Sequence, residues 1–139
     1  MARRRRGPKK QASLARKKVP KLYDITISKI NGDWTVSRPF AKVSRGGQDQ
    51  IRWNLLAGNG VSAHLQFCDG TLFSGHSPHW TASIGPVGGT IPTSLTLTVH
   101  GNAAERTHHY AVWVCDPALP EAGVYAIGHN PPPEIDIGP

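Results

Sequence analysis

Positive charge is confined to one end of this chain, and that confinement decides which residues can fold. Residues 1–21, MARRRRGPKKQASLARKKVPK, carry Arg3, Arg4, Arg5, Arg6, Lys9, Lys10, Arg16, Lys17, Lys18 and Lys21 without one acid. The 118 residues behind them hold six basic and nine acidic side chains, so the net +7 is +10 on an arm and −3 on a body. An arm of repelling charges, with Gly7, Pro8 and Pro20 and no apolar face to bury, is expected to be disordered until a polyanion neutralises it. Residues 22–139 are left as one domain of ordinary size.

The body reads as strands. After Pro20, Leu22, Asp24, Thr26 and Ser28 alternate with Tyr23, Ile25 and Ile27. Asn31-Gly32 is a hairpin-turn signal, because both positions of such a turn need positive φ. Trp34, Val36, Phe40, Ala41 and Val43 suggest one extended edge strand bent at Pro39. Ile51, Trp53 and Leu55 form a half-buried strand, as do Val61, Ala63, Leu65 and Phe67. Residues 68–93, rich in Gly, Ser, Pro and His, show no regular period. Leu95, Leu97 and Val99 alternate with polar residues. Tyr110, Val112 and Val114 do the same, with Ala111, Trp113 and Cys115 on the opposite face. Val124–Ile127 and Ile135–Ile137 look like two last short strands. About eight strands with no helical period predict an all-β, antiparallel Greek-key β-sandwich.

The body resembles a cupredoxin-like domain over residues 22–138. The resemblance rests on WTVSRPFAKVSRGGQDQIRWNL, with Asp49, Ile51 and Trp53 as its D-x-[VI]-x-W entry into a strand, on AHLQF, and on YAVWVC. What the resemblance implies is a copper site of two His and one Cys at one end of the sandwich, a ligand set suited to copper. It would assign His64 as the first His and Cys115 as the thiolate. The second His is expected soon after Cys115. CDPALPEAG contains none, and His129 is the next histidine. The expectation is therefore a copper-less relative of the fold, with His64, Cys115 and His129 as the copper alternative.

Other side chains carry less. His76 and His79 lie three apart in GHSPHW, and His64 and Cys68, four apart, fall on one face of a strand, so a Zn or Cu site from some subset is conceivable. At most one of the adjacent His108 and His109 can face inward. Asp116, Glu121, Glu134 and Asp136 are too scattered for paired-carboxylate chemistry and read as solvent-facing acids at strand ends. No nucleophile elbow and no phosphate loop appears, so no enzymatic activity is expected. Trp53 and Trp113 read as packing residues, while Trp80 stays open as a base-stacking platform. Cys68 and Cys115 read as reduced or metal-bound thiols, or as one disulfide.

No stretch reaches the ~18 apolar residues that cross a bilayer, and no apolar segment follows the Arg run as in a signal peptide. A cytoplasmic protein is expected. Dense Arg and Lys attract phosphate with little sequence selectivity, and Arg adds bidentate contacts. The resulting reading is a non-enzymatic β-sandwich, serving protein interaction or self-assembly, tethered to nucleic acid or another polyanion by its arm. A basic arm ahead of a β-sandwich is also the layout of small viral coat proteins, which gives a third reading.

Overall fold

A computed structural model describes residues 19–37, 40–75, 80–126 and 132–139. The arm from Arg3 to Lys18, Arg38, His76, His79 and His129 therefore lie outside the described residues. Among the described residues there are ten strands and no helix. They are β1 (Leu22–Ile30), β2 (Asp33–Val36), β3 (Phe40–Ser44), β4 (Gln50–Leu55), β5 (Ser62–Phe67), β6 (Thr81–Ile84), β7 (Ser94–Thr98), β8 (Thr107–Cys115), β9 (Gly123–Tyr125) and β10 (Glu134–Gly138).

They form two sheets, one in the order β2-β1-β4-β7 and one in the order β3-β10-β8-β5-β6, with β9 added beside the end of β8. The all-β, sandwich-like expectation holds, but the pairing is not purely antiparallel. β1 runs parallel to β4, with Ile25 opposite Trp53, and β10 runs parallel to β3, with Asp136 opposite Lys42. Neither pair is consecutive in the chain, so both are closed by crossovers rather than by hairpins. The Asn31-Gly32 turn is as expected: φ is 52° and 87° at the two positions, and Ile30 pairs with Asp33 across it.

Two stretches differ from the sequence reading. The stretch expected as one bent edge strand is two strands, β2 on the four-stranded sheet and β3 on the six-stranded sheet. β6 lies inside the segment that showed no period, where only Ala82 and Ile84 supply apolar side chains.

The alternation of each strand builds the core. Ile25, Ile27, Ile51, Trp53, Leu97 and Val99 from one side meet Ala63, Leu65, Tyr110, Val112, Val114 and Ile135 from the other, all buried. At about 25 cal/mol per Å² of apolar surface removed from water, these side chains supply most of the driving force for folding. Trp53 is the hub. Its ring lies 6.0 Å from Phe67, 5.9 Å from Phe73 and 5.9 Å from Tyr110. Its indole N–H donates to the Tyr110 hydroxyl at 3.3 Å, which satisfies the one polar atom the ring brings inside. Burial pushes the Tyr110 pKa up to about 12.

Candidate site at the root of the basic arm

The arm joins the body at a fixed point. Lys21 N–H donates to Asp49 Oδ1 at 3.0 Å, and Lys21 C=O accepts from Gln50 N–H at 2.8 Å. The second carboxylate oxygen of Asp49 accepts from Ser44 N–H at 2.8 Å. Asp49 is only 3% exposed, so its charge is satisfied by backbone amides rather than by water. One side chain thus ties the arm root to the end of β3 and the start of β4. Beside it lies a cleft of about 460 Å³, bordered by Val19, Lys21, Tyr23, Lys42, Asp49 and Asp136 among others.

Four cations of the body, Lys29, Arg45, Arg52 and Arg106, each lie beside an acid. Lys29 Nζ lies 3.8 Å from Asp116, Arg45 Nη2 2.8 Å from Glu105, Arg52 Nε 2.6 Å from Asp24 and Arg106 Nη2 3.9 Å from Asp69. Arg52 also reaches the second Asp24 oxygen at 3.1 Å, and the Asp24 hydrogen bond raises the Arg52 pKa above its ordinary value. Such pairs stabilise little at a surface, and each acid only offsets part of its cation's attraction for a second anion.

The copper candidates are only partly brought together. His64 on β5 stands opposite Trp113 on β8, and Ser62 stands opposite Cys115. His64 and Cys115 therefore lie diagonally on the same outer face of neighbouring strands, while Ala63, Leu65, Val112 and Val114 take the core side. Both His64 ring nitrogens already have hydroxyl partners: Nε2 lies 3.1 Å from Ser62 Oγ and Nδ1 2.9 Å from Ser83 Oγ. Among the described residues no three His, Cys, Asp or Glu side chains come together as metal ligands. These residues do not fit a three-ligand copper centre by themselves. Cys68 is exposed just beyond β5, and neither it nor Cys115 is in a disulfide.

His108 and His109 split as strand geometry requires. His108 turns inward, only 4% exposed, with Nε2 2.9 Å from the Ala104 carbonyl, while His109 faces outward, 3.9 Å from Glu134. Of the tryptophans, Trp80 is 53% exposed, and Trp113 is half-buried with its ring 4.7 Å from that of Tyr125.

Asp116 corrects the reading of the C-terminal acids. It is only 5% exposed and faces a second cleft of about 760 Å³ bordered by Lys29, Trp34, Leu56 and Pro117. Trp34 Nε1 donates to Oδ2 at 3.1 Å and Ala118 N–H to Oδ1 at 3.0 Å. The signal was present in the parity of the strand: positions 110, 112 and 114 face inward, and 116 continues that face. Lys42 was likewise passed over, although its place between the buried Ala41 and Val43 fixes it outward.

No known protein family and no characterised protein matches this chain. Among the described residues no helix is long and apolar enough to cross a membrane.

Proposed function

We propose that this chain is a non-enzymatic binding module whose basic N-terminal arm holds nucleic acid or another polyanion and whose body serves assembly or protein interaction. The observation that carries the reading is the division of charge: ten cations precede Leu22, and Lys29, Arg45, Arg52 and Arg106 behind it are paired with acids. A polyanion gains affinity by displacing counterions from its phosphates, so it is drawn to cations that have no acid of their own. The test compares binding of labelled DNA and RNA by the full chain and by a chain beginning at Val19, over a salt series. Starting at Val19 removes nine of the ten arm cations and keeps the Lys21–Asp49 bond. Equal, negligible binding by both chains would end this reading.

The Greek-key, cupredoxin-like assignment belongs to the same proposal. It is supported by the place of its motif residues: Ile51 and Trp53 lie on β4, Asp49 braces the entry to that strand, and YAVWVC forms the end of the central strand β8.

A second reading, copper handling, draws on His64 and Cys115 sharing one face of adjacent strands. A Cu(II)–thiolate site absorbs strongly in the visible, and Cys115→Ser would abolish that band; protein that stays colourless after Cu(II) addition removes the electron-transfer form of this reading. The coat-like reading is the assembly function taken furthest: mixing with RNA would then give particles of defined size by light scattering, and small monodisperse complexes would exclude it.

A further inference from the structure

The outer face of the six-stranded sheet carries aromatic side chains that the arm reading does not use. Strand pairing sets Ser83 of β6, His64 of β5, Trp113 of β8 and Tyr125 of β9 side by side in one row across four strands. Tyr125 is 51% exposed and Trp113 half-buried, with the two rings 4.7 Å apart and inclined at 76°. Both rings are held in place. The nitrogen-bearing edge of the indole rests on Gly123, where an added Cβ would fall 2.5 Å from Cζ2 and 2.9 Å from Nε1. The Tyr125 hydroxyl donates to Oε1 of the exposed Gln66 at 3.3 Å. Beside them, the His64 ring is set by the Ser62 and Ser83 hydroxyls at its two nitrogens. No member of the row is an acid that would repel a phosphate.

We propose that this row is a stacking platform for an unpaired base, so that the polymer held by the arm is a single-stranded nucleic acid. The inference rests on the arm reading above and names its ligand. Arg and Lys attract any polyanion, whereas an aromatic ring selects a flat π-face, and an unpaired base is free to offer one. A duplex keeps its bases inside, and an anionic lipid surface has none. Rings already held in place favour the contact, because little side-chain freedom is lost when the base arrives. The arm can deliver a strand to this face. Its root lies at the Thr107 end of β8, through Asp49, Ser44 and the pairing of β10 with both β3 and β8. Trp113 stands six residues further along that strand, about 20 Å away. The twenty residues before Lys21 span up to about 70 Å when fully extended.

The test measures affinity for labelled single-stranded RNA, single-stranded DNA and duplex DNA over a salt series. The unaltered full chain is compared with Tyr125→Ala and Tyr125→Phe. Tyr125→Ala is expected to bind the preferred single strand about 5- to 150-fold more weakly, the loss of one stacked base. Its slope of log K against log salt should not change, because no charge is removed. Tyr125→Phe keeps the ring and should bind nearly as the unaltered chain does, and neither change should affect duplex DNA. Photo-cross-linking of bromouridine-substituted RNA to the unaltered chain gives a readout free of any folding defect, and the cross-link is expected at Trp113 or Tyr125. A cross-link only elsewhere in the chain, or single strands bound as tightly by Tyr125→Ala, overturns the platform and leaves the arm reading standing. Equal weakening on duplex and single strands does the same. If the free chain sediments as a dimer that Tyr125→Ala separates, the face belongs to a second copy and the proposal is likewise overturned. If the full chain shows no salt-dependent binding to any of the three polymers, both the arm reading and the platform are overturned.

Discussion

The indole N–H of Trp34 donates to the carboxylate of Asp116 at 3.1 Å, across 82 residues of sequence, and joins β2 of one sheet to the end of β8 in the other. Both side chains are buried, at 5% exposure each. Removing the carboxylate leaves the buried indole donor without its acceptor, while the Ala118 amide, on an exposed residue, can turn to water. Asp116→Ala is expected to destabilise the fold by about 1–3 kcal/mol in urea unfolding. Lys29→Met removes only the exposed end of the network and is expected to cost less than about 1 kcal/mol. Equal effects of the two changes would contradict this account.

Asp49 holds the arm root, the end of β3 and the start of β4 with two amide hydrogen bonds. Asp49→Ala leaves both donors without their acceptor and is expected to cost about 3 kcal/mol. Asp49→Asn keeps one acceptor oxygen and should lose roughly half as much. A thermal unfolding series of the three proteins gives the order.

Gly123 is required by its neighbour rather than by its backbone. A Cβ at this position would fall 2.5 Å from Cζ2 of Trp113. Gly123→Ala is therefore expected to destabilise by about 1–3 kcal/mol, the range for forcing extra volume into a packed site. Combined with Trp113→Ala the penalty should disappear, giving a coupling energy that a double-mutant cycle resolves. Additive effects would show that the two residues do not meet.

Stability should fall at both ends of the pH scale for identifiable reasons. The Thr71 hydroxyl and amide, with help from His108 and Arg106, hold Asp69 below its ordinary pKa of 3.8. A depressed folded pKa gives stability that is present above 3.8 and lost as pH falls through the folded value. Asp69→Asn should flatten that acid limb. Tyr110 is shifted the other way, from 10.0 to about 12, so its stabilisation is complete below pH 10 and lost as pH rises towards 12. Unfolding free energies of Tyr110→Phe measured against pH should lack that alkaline loss, and a parallel loss in the variant would contradict the assignment.

The strands with strict alternation were legible because side chains on a strand alternate faces, and burial follows that period directly. β4, with Ile51, Trp53 and Leu55 inward, and β8, with Tyr110, Val112 and Val114 inward, were read correctly residue by residue. The same parity placed Cys115 on the outer face. Partner choice was not legible. Nothing local to Tyr23–Ile27 or Ile135–Ile137 says that its neighbour runs parallel, because that choice is made by crossovers between distant segments. The sheet change between Val36 and Phe40 was hidden because both flanking runs are equally strand-like. β6 was hidden because four residues with two apolar side chains stand too close to the background of a Gly- and Ser-rich segment.

Of the candidate site, the ten arm cations were legible as charge, and their root was not. Asp49 could be recognised as part of a strand-entry motif, but its role as acceptor for the Lys21 and Ser44 amides needs the fold. Lys42 and Asp136 come together only through the parallel pairing of β3 with β10. The pairing of Arg45 with Glu105 and of Arg52 with Asp24 likewise joins positions far apart in the chain.

The most direct test of the account is the affinity for labelled DNA and RNA across a salt series, measured for the full chain and for the chain beginning at Val19. The account predicts tight binding by the full chain that weakens steeply with salt, and at most a weak, shallow remnant without residues 1–18. Binding that survives removal of those residues with the same affinity and slope would place the polyanion site on the body and contradict the account.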